Sequence, residues 1–201
     1  VLAWLDGGDP AAIVSEAEVR LAASLPPDLD ALNDIEQRKR AFVGIVLPLG
    51  QLMNDVILAD RRFVEAAMGC KNAGRPLAPA DLSRLAELSA AYKVDGDVEA
   101  LHRRLDMVPP SLLVAQAAIE SGWGTSRFAQ EGNALFGQRT TADGMQPEGL
   151  DAMTQVRVAA FPDLLASVAA YMHNLNTQPA YKAFRQKRAA LRQAGRQPDG
   201  V

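Results

Sequence analysis

One cysteine, Cys70, in 201 residues leaves no internal disulfide framework. With no histidine near it in the chain, Cys70 reads as structural. The two histidines, His102 and His173, stand far apart and lack metal-ligand spacing with any cysteine or acid, and no H-E-x-x-H pattern occurs. Neither a metal nor any other cofactor is therefore expected. No glycine-rich phosphate loop follows a strand, since Gly122 and Gly124 follow a helix, which is the wrong context for one. No apolar run approaches the roughly 20 residues that cross a bilayer, so no transmembrane segment is expected. Internal repeats and low-complexity tracts are missing too. A formal net charge of -3 lacks the basic excess that nucleic acid requires. Acids run short at one end: after Asp163 only Asp199 remains, against Lys182, Arg185, Lys187, Arg188, Arg192 and Arg196. Such a run is ordinarily a solvated helix face, with contact to an anionic polymer as the alternative. The chain opens Val-Leu-Ala-Trp-Leu-Asp without methionine, which is consistent with a trimmed leader.

What is present is ordinary globular material, 48% hydrophobic and 22% charged, in a length that suits one domain or one domain with an extension. Apolar residues from Ile35 to Val64 recur at helical spacing, predicting one long amphipathic helix over Asn33 to Met68, kinked at Pro48. A shorter helix is expected from Pro10 to Ser24, broken by Leu25-Pro26-Pro27-Asp28. After a loop over Gly69 to Leu77, two more are expected, Pro79 to Ala91 and Asp97 to Leu105. Period-two alternation of Val156, Val158 and Ala160 marks Thr154 to Phe161 as a strand, with its partner within Gly137 to Met153. Asp163 is a plausible N-cap for a helix that ends before Pro179, and a last helix runs from Pro179 to about Ala194.

The stretch with most chemistry runs from Val108 to Gly137. Pro109-Pro110 suits a helix start, because the fixed proline dihedral fits the first turn and the missing donor is not needed there. From Leu112 to Ile119 only Gln116 is polar, predicting a helix surrounded by core. Gln116 and Glu120 stand four apart on one face, a polar seam that must open onto a cleft or be satisfied internally. Near the helix C-terminus the dipole and partial burial both favour a protonated Glu120, which suits a general acid. Gly122 can take the left-handed stop and Gly124 a tight turn beside the carboxyl, while Trp123 offers a plane on which a sugar could lie. The same residues also fit a plainer arrangement, in which Glu120 assists a following helix around Thr125 to Gln130 and Trp123 is core.

PSLLVAQAAIESGWGTSRFAQEGNALFG resembles the catalytic segment of the bacterial glucosaminidases of glycoside hydrolase family 73, and is most similar to their Bax-type members. RKRAFVGIVLPLGQLMND, from Arg38 to Asp55, resembles their upstream helix, and SVAAYMHNLNTQPAYKAFR, from Ser167 to Arg185, their closing helices. The resemblance implies a mainly α, lysozyme-like helical body with a small β-hairpin lobe flanking a cleft. It divides the chain into a helical extension over 1–95 and a catalytic domain over 96–201. It also implies cleavage of β-1,4 bonds in peptidoglycan after N-acetylglucosamine, in the bacterial envelope, periplasmic or secreted. Peptidoglycan strands are then the partner, and a monomer is expected.

By the same resemblance Glu120 is the general acid. Glycoside cleavage commonly needs a second group, a carboxylate or the substrate's own acetamido group. Glu148 is the first candidate and Asp151 the second, while Asp143 is expected to shape a turn; an ordinary loop acid is the alternative for Glu148. Tyr181 matches a tyrosine of the closing segment that lies near the acid, or else is a packing residue. Tyr171 lines the cleft or joins the core stripe with Met172. Asn133 and Phe136 match the GN-LFG block and shape the cleft floor, with Ala134 where many relatives carry a second asparagine. Two rival functions remain on the same scaffold, a lytic transglycosylase and a wall-binding module without turnover.

Overall fold

The computed structural model describes residues 23–29, 31–32, 34–147 and 157–198. The expected helix over Pro10 to Ser24 lies almost wholly outside them, as do Glu148 and Asp151. Helix α1 spans Ile35–Asn72, capped by the Asp34 carboxylate, which accepts the Glu36 amide at 2.9 Å. It runs on through Pro48. Phe42, Val46, Leu49, Met53, Ile57, Val64 and Ala67 form its buried stripe. Contrary to the expectation from the sequence, α1 is long and apolar enough to cross a membrane by length and composition. In this fold it packs on α3, α4 and α6.

Helix α2 spans Pro79–Ala91 and α3 spans Val98–Arg104, the latter capped by Asp97. Helix α4 covers Pro110–Ser121 and α5 covers Arg127–Gly132. Strands β1 (Arg139–Thr140) and β2 (Arg157–Val158) pair antiparallel, Arg139 opposite Val158, and Met145 bridges to Val158 as well. This small lobe includes the expected strand, shortened to two described residues. Helix α6 spans Leu164–Thr177 with Asp163 as its N-cap, accepting the Ala166 amide at 2.7 Å. The expected single last helix is split: a 3-10 turn over Pro179–Tyr181 precedes α7, Lys182–Gln193. The architecture is mainly α and lysozyme-like, with the hairpin lobe set between α5 and α6. One hydrophobic cluster runs from Leu25 and Leu29 through α1 to Leu175.

Two polar devices fix the segment that leads into α4. Asn54, buried on α1, donates to the Val108 carbonyl and accepts its amide, both at 2.8 Å. Arg188, 2% exposed on α7, donates to the carbonyls of Arg104, Asp106 and Met107 and to Asn176 Oδ1. Asp106 in turn holds Arg192 at 2.7 Å. The basic C-terminal helix is therefore not simply a solvated face. Arg185 and Arg188 point inward because the carbonyls between α3 and α4 and at the end of α6 need donors that a guanidinium can supply in several directions.

Candidate active site

Helix α4 is held against α1 by a close approach at Gly50, where an added Cβ would lie 2.8 Å from Leu113 Cδ2. Its buried face is Leu113, Ala117, Ala118 and Ser121. The other face is open: Ala115 and Glu120 are exposed, and Ile119 is 72% exposed. The expectation of an all-round core helix is corrected here. Ala117 and Ala118 are buried while Ala115 and Ile119 face outward, so an apolar run does not by itself say which of its sides is covered.

Gly122 ends α4 in the left-handed conformation, φ 59° and ψ 44°, as expected. Ser121 ties the turn together, its hydroxyl donating to Ala117 O at 2.6 Å and accepting the Gly124 amide at 2.8 Å. Gly124, however, does not serve the carboxyl. It lies against the core, where a Cβ would stand 2.9 Å from both Leu25 and Leu29.

The partial burial expected for Glu120 is not found, because the side chain is exposed. It faces the GN-LFG block: a Cβ on Gly137 would be 3.4 Å from Glu120 Oε2. Phe136, next to Gly137, stacks on Tyr171 with ring centroids 3.9 Å apart and planes 4° from parallel. Burial first, then Tyr181 and Glu120, push the Tyr171 phenol above its ordinary range, so it stays a neutral O–H donor. Glu120, Phe136, Tyr171 and Tyr181 are thus brought together, from α4, the loop after α5, α6 and the turn before α7.

Other residues singled out from the sequence lie around this group. Gln116 is half-buried one turn before Glu120. Trp123 turns toward α1, its ring edge-on to Phe42 at 5.9 Å with Lys39 Nζ 5.6 Å from its centroid. Asn133 ends α5 in the left-handed conformation and donates to Phe161 O at 3.1 Å, fastening the lobe to the approach of α6. Asp143 is exposed in the hairpin.

His102 pairs with Glu65 and His173 with the Ala91 carbonyl, and among the described residues no group of three metal-ligating side chains forms. Asn54, Gly137 and Arg188 escaped the reading of the sequence. A lone amide in the apolar run of α1 is the signal that Asn54 offers; Arg188 offers none beyond its charge.

Similarity to known proteins follows the same residues. Residues 97–198 match the glucosaminidase family, described as mannosyl-glycoprotein endo-beta-N-acetylglucosaminidase. The curated protein named Protein bax, from Escherichia coli (strain K12), is 36% identical over 176 residues, 84% of this chain. The chain spans 61% of that relative's length. No solved structure matches. With the family match covering half of its residues and centred on the α4 to α7 body that carries Glu120, the chain belongs to the glucosaminidase family.

Proposed function

We propose that this chain is a peptidoglycan hydrolase of the bacterial envelope, periplasmic or secreted, cleaving β-1,4 bonds after N-acetylglucosamine. Residues 96–201 are the proposed catalytic body and 1–95 the N-terminal extension, whose α1 packs on it. The observation that carries the reading is the position of Glu120, exposed at the end of α4 beside the Gly137 backbone and electrostatically coupled to Tyr171. A proton donor must reach the glycosidic oxygen, and an accessible carboxyl at a helix end can do so. Tyr171 supplies a neutral hydroxyl to the same space, and Tyr181 flanks it. Glu148 is proposed as the second carboxylate, with Asp151 next in order. Gln116, Trp123, Asn133 and Phe136 are proposed to border the substrate.

The test is Glu120→Gln, which keeps shape and removes the acid. Turnover of purified sacculi should fall by roughly 10²- to 10⁴-fold, the range of general acid catalysis, with glycan binding and melting temperature retained. Unchanged turnover refutes the assignment. Mass spectrometry of the digest reads the chemistry: reducing N-acetylglucosamine ends support hydrolysis, and anhydro-muramic ends replace it with a lytic transglycosylase. A wild-type protein that binds sacculi but never cuts them is a wall-binding module.

A further inference from the structure

Helices α3 and α7 lie side by side and enclose a groove of about 490 Å3. Arg103, Arg104, Lys182 and Arg185 line it with no carboxylate among the lining residues. Alanines at 100, 189 and 190 leave it open, and glutamines at 186 and 193 add amide groups to its wall. Other arginines of the chain are matched by acids: Arg61 with Glu65, Arg84 with Asp60, Arg192 with Asp106. Among the described residues no carboxylate lies within ion-pair distance of the four groove cations.

Two of the four are held rigidly. Arg104 Nη1 donates to the carbonyls of Tyr92 and Lys93, and Arg185 Nη1 donates to Leu175 O at 2.9 Å and Gln178 O at 2.8 Å. Both sets of bonds leave from Nη1, so the other guanidinium nitrogens remain for a planar anion. Burial, and then the like charge of Arg104, disfavour the charged form of Arg185. An anion lodged between these side chains relieves that repulsion. The exposed pair, Arg103 and Lys182, forms the rim. Lys182 follows Tyr181 directly, so the groove rim begins where the Pro179–Tyr181 turn, packed against α6, ends.

We propose that this groove binds the carboxylates of the peptides that branch from the glycan substrate, seating peptide-bearing strands in register with Glu120. The proposal rests on the peptidoglycan reading above. A guanidinium fork and an ammonium at a groove rim suit carboxylates on a flexible peptide, and the site's nearness to Tyr181 suits a branch of the strand being cut.

Binding is measured with the full chain carrying Glu120→Gln, so that nothing is consumed. Calorimetry compares short glycan strands with their stem peptides against the same strands stripped of peptide. Peptide-bearing strands should bind about 10-fold tighter, a preference worth one or two charge-assisted contacts, and should lose it as salt rises. Arg103→Glu with Lys182→Glu, whose side chains are exposed and make none of the buried hydrogen bonds, should erase the preference while the melting temperature holds. A preference that is missing in the parent, or that survives the double reversal, overturns the proposal. Isolated stem peptide reads the groove without the glycan. Amide shifts at Arg103 and Lys182 that vanish when the peptide carboxylates are amidated support it even if no sacculus is ever cut. No shift at millimolar peptide overturns it, and equal shifts with inorganic phosphate show a generic anion site instead.

Discussion

At the residue scale, Tyr171 carries two separable jobs. Its ring stacks on Phe136, and its phenol feels the charges of Tyr181 and Glu120. Tyr171→Phe keeps the stack and removes only the oxygen. On the proposed reading it should lower turnover by roughly 10-fold or more, the worth of a hydrogen bond to a charged group, and shift stability by under about 1 kcal/mol. Steady-state kinetics with urea melts separates the two; a stability loss without a rate loss would mean that the hydroxyl is structural. His173 is a second case. Burial holds its imidazole below the ordinary histidine range. The unfolded chain therefore takes up the proton first, so stability is full above about pH 6.5 and declines as pH falls below it. His173→Gln should flatten the stability change between about pH 7 and 5, measured by thermal melts across that window.

At the scale of elements, the turn after α4 is where the chain is least tolerant. Gly124 has φ 80°, and a Cβ there would meet Leu25, Leu29 and Phe42. Gly124→Ala should cost about 2 to 4 kcal/mol, combining backbone strain with overpacking against side chains that are themselves buried. Gly50 makes a useful control. Its φ is helical and its obstacle is the end of one flexible leucine, so Gly50→Ala should cost less, about 1 kcal/mol, by the same denaturant titration. Equal losses would show that the left-handed conformation at Gly124 adds nothing. Both glycines stood in the stretches that carried the family resemblance, but only the packing distinguishes a turn glycine that touches the core from one that touches the carboxyl.

Across the whole molecule, α7 is fastened by charge rather than by grease. Its buried residues are Arg185 and Arg188, and Arg188 reaches the segment between α3 and α4 that Asn54 grips from the other side. Arg188→Ala leaves Asn176 Oδ1 and several carbonyls without their guanidinium donor, takes one of three arginines from Asp106, and should cost about 3 to 5 kcal/mol in thermal or urea unfolding. A loss under about 1 kcal/mol would show that water replaces it. Burial pushes the Asp106 carboxyl up, but the Arg192 hydrogen bond and the charges of Arg188, Arg61 and Arg192 outweigh it, leaving the group below the ordinary carboxylate range. Its contribution is thus complete above about pH 4 and is lost as pH falls through the lowered value, which Asp106→Asn should show as a shallower acid limb.

Apolar patterning together with caps and prolines determined the helices: α1, α2, α4 and α6 begin and end close to those signals. The helix-end position of Glu120 drew attention to it, and resemblance of the Gly-Asn block and of the closing segment to the family added Phe136 and Tyr181, with Tyr171 left between cleft and core. Tertiary structure decided what strings cannot carry. Which face of helix α4 meets water, why Gly124 must be glycine, that Trp123 looks toward α1, and that α7 turns Arg188 inward all depend on groups far away along the chain. Spacing records a residue's own element; burial and pairing belong to whatever the fold sets across from it.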